Sequence, residues 1–250
     1  MDLNPMDPAM LVAVLIAISL GALLKGMTGL GLPLFAVPAL AMIMSVEEAV
    51  ILMIIPGIGA NLWLVISHRQ YGALLKEHVP FLVTGFIGGV VGTALLVVVE
   101  DRWLKILLAT WLALYLLQYF LAKNSMEIFR GRGAAAYGLG FAGGTIQGAT
   151  GISAQIVAPY YHGRSLAPAA YAFLVTFTFL LFSSAQITTA VGANLMTAER
   201  LQLGLVALVP TLIFTRIGIS LAGTMSRELF DKILLIAFCL MEVKLVFDVL

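Results

Sequence analysis

Apolar positions along the chain come in long unbroken runs rather than in the three-and-four spacing of a half-buried helix or the alternation of a half-buried strand. The runs cover about 10–24, 32–44, 46–67, 79–99, 103–122, 134–146, 151–161, 166–193, 201–225 and 229–250. Several reach the roughly 20 residues that span a hydrocarbon layer of about 30 Å at 1.5 Å per residue. Backbone in lipid must satisfy its own hydrogen bonds, so the runs predict helices, or broken helices shielded by protein. The expected fold is an all-α polytopic membrane protein with about 8–10 membrane segments.

The clear hydrophilic connector is KNSMEIFRGRG, residues 123–133, close to the midpoint. It divides the chain into a first membrane repeat, 1–122, a cytoplasmic linker, 123–133, and a second membrane repeat, 134–250. Moving the first half along by 122 positions sets Lys25-Gly26-Met27-Thr28-Gly29-Leu30-Gly31 on Gln147-Gly148-Ala149-Thr150-Gly151-Ile152-Ser153. A proline follows in both halves, Pro38 and Pro159, and Lys105-Ile106-Leu107-Leu108 answers Lys232-Ile233-Leu234-Leu235 near each end. Both glycine stretches join apolar pieces too short to span comfortably. Paired interruptions at corresponding places are the sign of a transporter whose discontinuous helices meet near the midplane. Helix packing through small residues is the plainer reading, and it suits Gly85, Gly88, Gly89 and Gly92 better than it suits Thr28 or Thr150.

Loop charge chooses between parallel and inverted halves. With inverted halves Arg69, Lys76, Lys123, Arg130, Arg132, Arg164, Arg227 and Lys232 share the cytoplasmic side, against Arg102, Lys105, Arg200 and Lys244 outside. Inverted repeats with both termini outside are therefore expected.

Composition narrows the function. Hydrophobic residues make up 61% and charged ones 11%, which leaves almost nothing for a soluble domain. A net charge of +1 without a basic block offers nucleic acid no footprint. MDLNPMDPAM has no basic residue, so the first run reads as a retained segment rather than a cleaved signal. The single cysteine, Cys239, excludes an internal disulfide. His68, His78 and His162 are scattered near loop ends, and neither a metal nor a cofactor is expected.

Two cations stand in apolar sequence. Lys25 either ends the first helix and snorkels outward or lines a pathway. Arg216 lies deep in LVPTLIFTRIGISLAGTM and stays protonated, so it requires an internal carboxylate, for which Glu242 is the candidate, or a mobile anion. An unwound glycine-rich tip leaves backbone N–H groups unpaired, and the helix after it turns its positive end to the gap. Lys25, Thr28, Gly29, Gly31, Gln147, Thr150, Gly151, Ser153, Gln155 and Arg216 are thus the expected seat of a small anion. Asn61, Ser183, Gln186 and Glu242 are candidates for the path or for coupling; proton coupling stays open, as does the oligomeric state. An intramembrane enzyme would need a catalytic set that the sequence lacks.

KGMTGLGLPLFAVPAL at 25–40 and GFAGGTIQGATGISAQIVAPYYHG at 140–163 resemble the sulfite exporter TauE/SafE family, the sulfonate uptake permeases, and the likeness extends over nearly the whole chain. The family's run of consecutive glycines is here Gly29-Leu30-Gly31-Leu32-Pro33, and Ser153-Ala154-Gln155 in the second half. The resemblance implies secondary transport of sulfite, a sulfonate, a sulfoacetate-like compound or a related organic acid across the bacterial inner membrane, by the two halves rocking about a midplane site. An anion channel and a carrier for simple carboxylates are the alternatives.

Overall fold

The computed structural model describes residues 8–29, 31–121, 133–162, 164, 166–222 and 227–249. Every regular element among them is helical. The first half gives α1 (Pro8–Thr28), α2 (Gly31–Ala41), α3 (Val46–Ser67), α4 (Val79–Val98) and α5 (Asp101–Leu121), with a 3₁₀ stretch at Arg69–His78. The second gives α6 (Ala134–Thr150), α7 (Ala154–His162), α8 (Pro168–Gly192), α9 (Ala198–Leu221) and α10 (Arg227–Phe247). The expected linker lies outside the described residues apart from Gly133.

Five of these spans are long and apolar enough to cross a membrane: α1, α3, α4 with the stretch before it, α8 and α9. Their outward faces are greasy. Val79, Val83, Ile87 and Val91 on α4, and Leu205, Val209, Ile213 and Ile217 on α9, repeat every four residues and are exposed. Residues four apart share one helix face. A soluble protein would bury such stripes; lipid takes them here, and the chain is a multi-pass membrane protein.

Two helix pairs approach so closely that only glycine fits between them. Along α4 and α6, Phe81 and Gly85 meet Gly140 and Gly144, and Gly92 meets Gly148, so the two helices run in the same sense. A Cβ on Gly144 would overlap the Gly85 carbonyl, and one on Gly148 would stand 2.7 Å from the Gly92 carbonyl carbon. The pair α1 and α9 repeats this device, for a Cβ on Gly26 would be 2.8 Å from the Gly218 Cα. Small residues let backbones touch where lipid offers no hydrophobic drive to associate.

Contacts at the helix ends fix the directions. Ser45 caps α3 in a reciprocal box with Glu48, and the Val46 N–H donates to Asp101 at the start of α5 (2.7 Å). Arg200 at the start of α9 pairs with Glu47 (2.7 Å). The starts of α3, α5 and α9 therefore share one end of the bundle, which α4 reaches with its C-terminus. Since α6 runs alongside α4, it begins at the opposite end, where His78 meets Tyr160 of α7 across 3.3 Å. Pro8 and Met10 of α1 border the same cleft as Glu47 and Arg200. Thus α1 and α6 enter the bundle from opposite ends.

Candidate functional site

Both glycine stretches break the helix as their composition requires. Gly29 (φ 80°) and Gly151 (φ 73°) occupy the left-handed region that side chains resist. Each donates its N–H four residues back, Gly29 to the Lys25 carbonyl and Gly151 to the Gln147 carbonyl, both at 2.7 Å. This is the left-handed helix cap. After it the chain doubles back: Gly21 of α1 lies against Leu32 and Ala36 of α2. In the second half Thr150 braces the turn, its hydroxyl donating to the Ile146 carbonyl (2.7 Å) and accepting from the Ile152 N–H (3.2 Å).

The two breaks face each other across a recess with a cavity volume of about 20 Å³, walled also by α3 and α8. As it stands that holds about one water, so a solute seated there must widen it. Lys25 reaches into it while only 2% exposed. Its ammonium donates to the Asn61 carbonyl oxygen at 2.8 Å and lies 5.9 Å from the centre of the Phe179 ring. An ammonium has three protons to donate. Asn61 accepts one, and among the described residues no carboxylate stands on the wall. Lys25 does not snorkel to a surface.

Opposite Lys25, the second half supplies amides and hydroxyls. Ser153 donates to the Gln147 side-chain oxygen at 2.6 Å, and Gln186 donates to the Gln147 backbone carbonyl at 3.0 Å. Ser183 completes this face. The first turns of α2 and α7 both border the recess, through Leu32, Pro33 and Leu34 and through Ser153 and Ala154. Helix N-termini present unpaired N–H groups and a positive dipole end. An enclosed wall of one cation, donor amides, hydroxyls and two helix starts attracts negative charge and repels a metal cation.

Of the residues expected at the site, Lys25, Gln147, Gly151, Ser153, Asn61, Ser183 and Gln186 border this recess. Thr28 and Gly29 do not: the Thr28 hydroxyl donates to the Leu24 carbonyl (2.8 Å), and Gly29 forms the turn behind Lys25. Thr150 is also absent from the wall, and Gly31 starts α2. Gln155 points the other way and accepts from the Trp111 indole at 3.0 Å.

Arg216 and Glu242 stand apart from the recess. Arg216 is exposed on α9 and borders a separate groove, because α9 ends at Leu221 and leaves it about one and a half turns from the helix end. The apolar sequence continues past that end, which made Arg216 look deeper than it is. Glu242 sits on α10, which packs against α5 and α2, and no Arg216–Glu242 ion pair forms. Phe179 was not anticipated. The 122-residue offset that relates Lys25 to Gln147 also sets Gly57 on Phe179, so that signal was present in the sequence.

Comparison with protein families matches residues 13–245 to the family described as Sulfite exporter TauE/SafE. The chain belongs to the TauE/SafE family. Curated proteins and solved structures gave no match. Membership makes this TauE/SafE protein a membrane transporter, and the Lys25 recess lies well inside the matched span.

Proposed function

We propose that this TauE/SafE protein is a secondary transporter of a small sulfur oxyanion, sulfite or a sulfonate, across the inner membrane, with the Lys25 recess as its seat. The observation that carries this reading is the buried Lys25 ammonium, held by the Asn61 side-chain oxygen at 2.8 Å on a wall where no described residue is a carboxylate. A charge in that position is costly unless an anion completes its shell. Alternating access between the two ends is the mechanism, and each half carries one broken hairpin.

We read the halves as inverted repeats. Supporting this are the equivalent caps at Gly29 and Gly151, the seams of α1 with α9 and of α4 with α6, and the opposite starts of α1 and α6. Arg69, Lys76 and Arg164 lie toward the end at which α6 begins, which supports reading that end as cytoplasmic.

The test is counterflow of labelled sulfite in proteoliposomes, with a simple carboxylate and sulfate as competitors. A carrier gives saturable exchange that Lys25→Gln reduces at least about tenfold, the loss expected when a charge-assisted hydrogen bond becomes neutral. Flux that never saturates would replace the carrier by an anion channel. Normal exchange in Lys25→Gln would remove the recess from the pathway.

A further inference from the structure

A second feature lies between α3 and α9, outside the Lys25 recess. These helices run in the same sense, with Gly59 against Leu208 and, farther along, Trp63 and Leu64 facing Leu212, Thr215, Arg216 and Ile219 across a shallow groove. Both helices end nearby, α3 at Ser67 and α9 at Leu221. Trp63 and Arg216 therefore lie roughly 6–8 Å from the helix ends at 1.5 Å per residue. That is the depth at which tryptophan and long cationic side chains reach lipid headgroups.

Three observations give the groove a ligand chemistry. Arg216 is exposed, and its guanidinium makes neither an ion pair nor a hydrogen bond with any described residue. Its fork of donors matches a phosphate. Thr215 beside it is 7% exposed and borders the groove, and its buried hydroxyl has no partner among the described residues. Trp63 is 43% exposed, and among the described residues no carboxylate borders the groove. The remaining wall is apolar and continuous with the lipid-facing stripe of α9 at Ile213 and Ile217.

We propose that this groove binds an anionic phospholipid, its phosphodiester on Arg216 and the Thr215 hydroxyl and an acyl chain along Leu64 and Leu212. The basic 3₁₀ stretch that follows α3, with Arg69 and Lys76, places the groove toward the leaflet where anionic lipid is attracted. A free phosphate would use Arg216 but not the apolar floor, so the floor selects the lipid. The Thr215 carbonyl also lies against Gly26, next to Lys25, and the lipid seat thus borders the seam of α1 and α9.

The full chain is purified in a neutral detergent and given phosphatidylglycerol, phosphatidylcholine of the same acyl chains, or inorganic phosphate. Bound lipid is counted by native mass spectrometry, and thermal stability is followed in parallel. Retention of phosphatidylglycerol over phosphatidylcholine, at least about tenfold lower in Arg216→Gln, is the expected result. Undiminished retention in Arg216→Gln overturns the proposal. So does equal stabilisation by inorganic phosphate, or a wild-type dimer that Arg216→Gln dissociates. Should Arg216→Gln fail to fold, Thr215→Val decides instead, with several-fold lower retention expected and unchanged retention overturning the site.

Discussion

Two glycines on one helix make a controlled test of the seam between α4 and α6. Gly138 and Gly144 both belong to α6, but a Cβ on Gly138 meets nothing within 4 Å, whereas one on Gly144 falls on the Gly85 carbonyl and 2.8 Å from the Gly89 nitrogen. Alanine at either position gains about 0.5–1 kcal/mol of helix preference over glycine. At Gly138 that gain stands alone, so Gly138→Ala is neutral or stabilising. At Gly144 the obstructing atoms are backbone, which cannot rotate aside, and the helices must move apart. Overpacking of this kind costs about 1–3 kcal/mol, and widening the seam also forfeits contacts of the neighbouring glycines. Gly144→Ala is therefore expected to fall below Gly138→Ala by about 1–3 kcal/mol, since the helix-preference gain is common to both and cancels. Reversible unfolding of the purified protein in mixed micelles with increasing denaturing detergent measures the difference. Equal midpoints for the two variants would show that the seam is looser than described.

The two turn glycines separate strain from function: Gly29→Ala and Gly151→Ala should each lose about 1–2 kcal/mol for a left-handed side chain. Only Gly151 borders the recess, with Val37 at 3.0 Å from its Cβ position, so sulfite binding measured by calorimetry should weaken in Gly151→Ala and hold in Gly29→Ala. Trp111→Phe removes the indole donor 3.0 Å from the Gln155 side-chain oxygen and leaves that amide without a protein partner at either end. A loss of about 1–3 kcal/mol is expected in the same unfolding assay. With α1 and α6 entering from opposite ends, labels placed at residue 8 and at the C-terminal end of α10 should react from one side of the membrane and a label at Gly133 from the other; labelling of all three from one side would refute the inverted arrangement.

Much of this architecture was readable in the sequence because lipid simplifies the code. Runs such as 46–67 and 79–99 coincide with α3 and α4 to within a residue, since an apolar stretch in a bilayer has little choice but helix. The breaks at Gly29 and Gly151 were readable because only glycine enters the left-handed region easily. Lys25, Gln147 and Ser153 were legible as polar groups with no aqueous reason to be there. Arg216 misled because sequence shows neither where a helix stops within an apolar run nor how it is rotated: α9 ends at Leu221 and turns this residue outward. Gln155 sits next to Ala154, which borders the recess, but neighbouring positions on a helix point about 100° apart. The 3₁₀ stretch at Arg69–His78 left no apolar periodicity to detect.

The glycine seams bear on which parts can move. Backbones in direct contact slide poorly, and each seam clasps a member of one half to a member of the other, α1 to α9 and α6 to α4. A swing of one half as a solid block against its counterpart would have to tear both seams open. Under the proposed alternating access the levers would be mixed couples, each carrying an arm of one hairpin, tilting past α3 and α8.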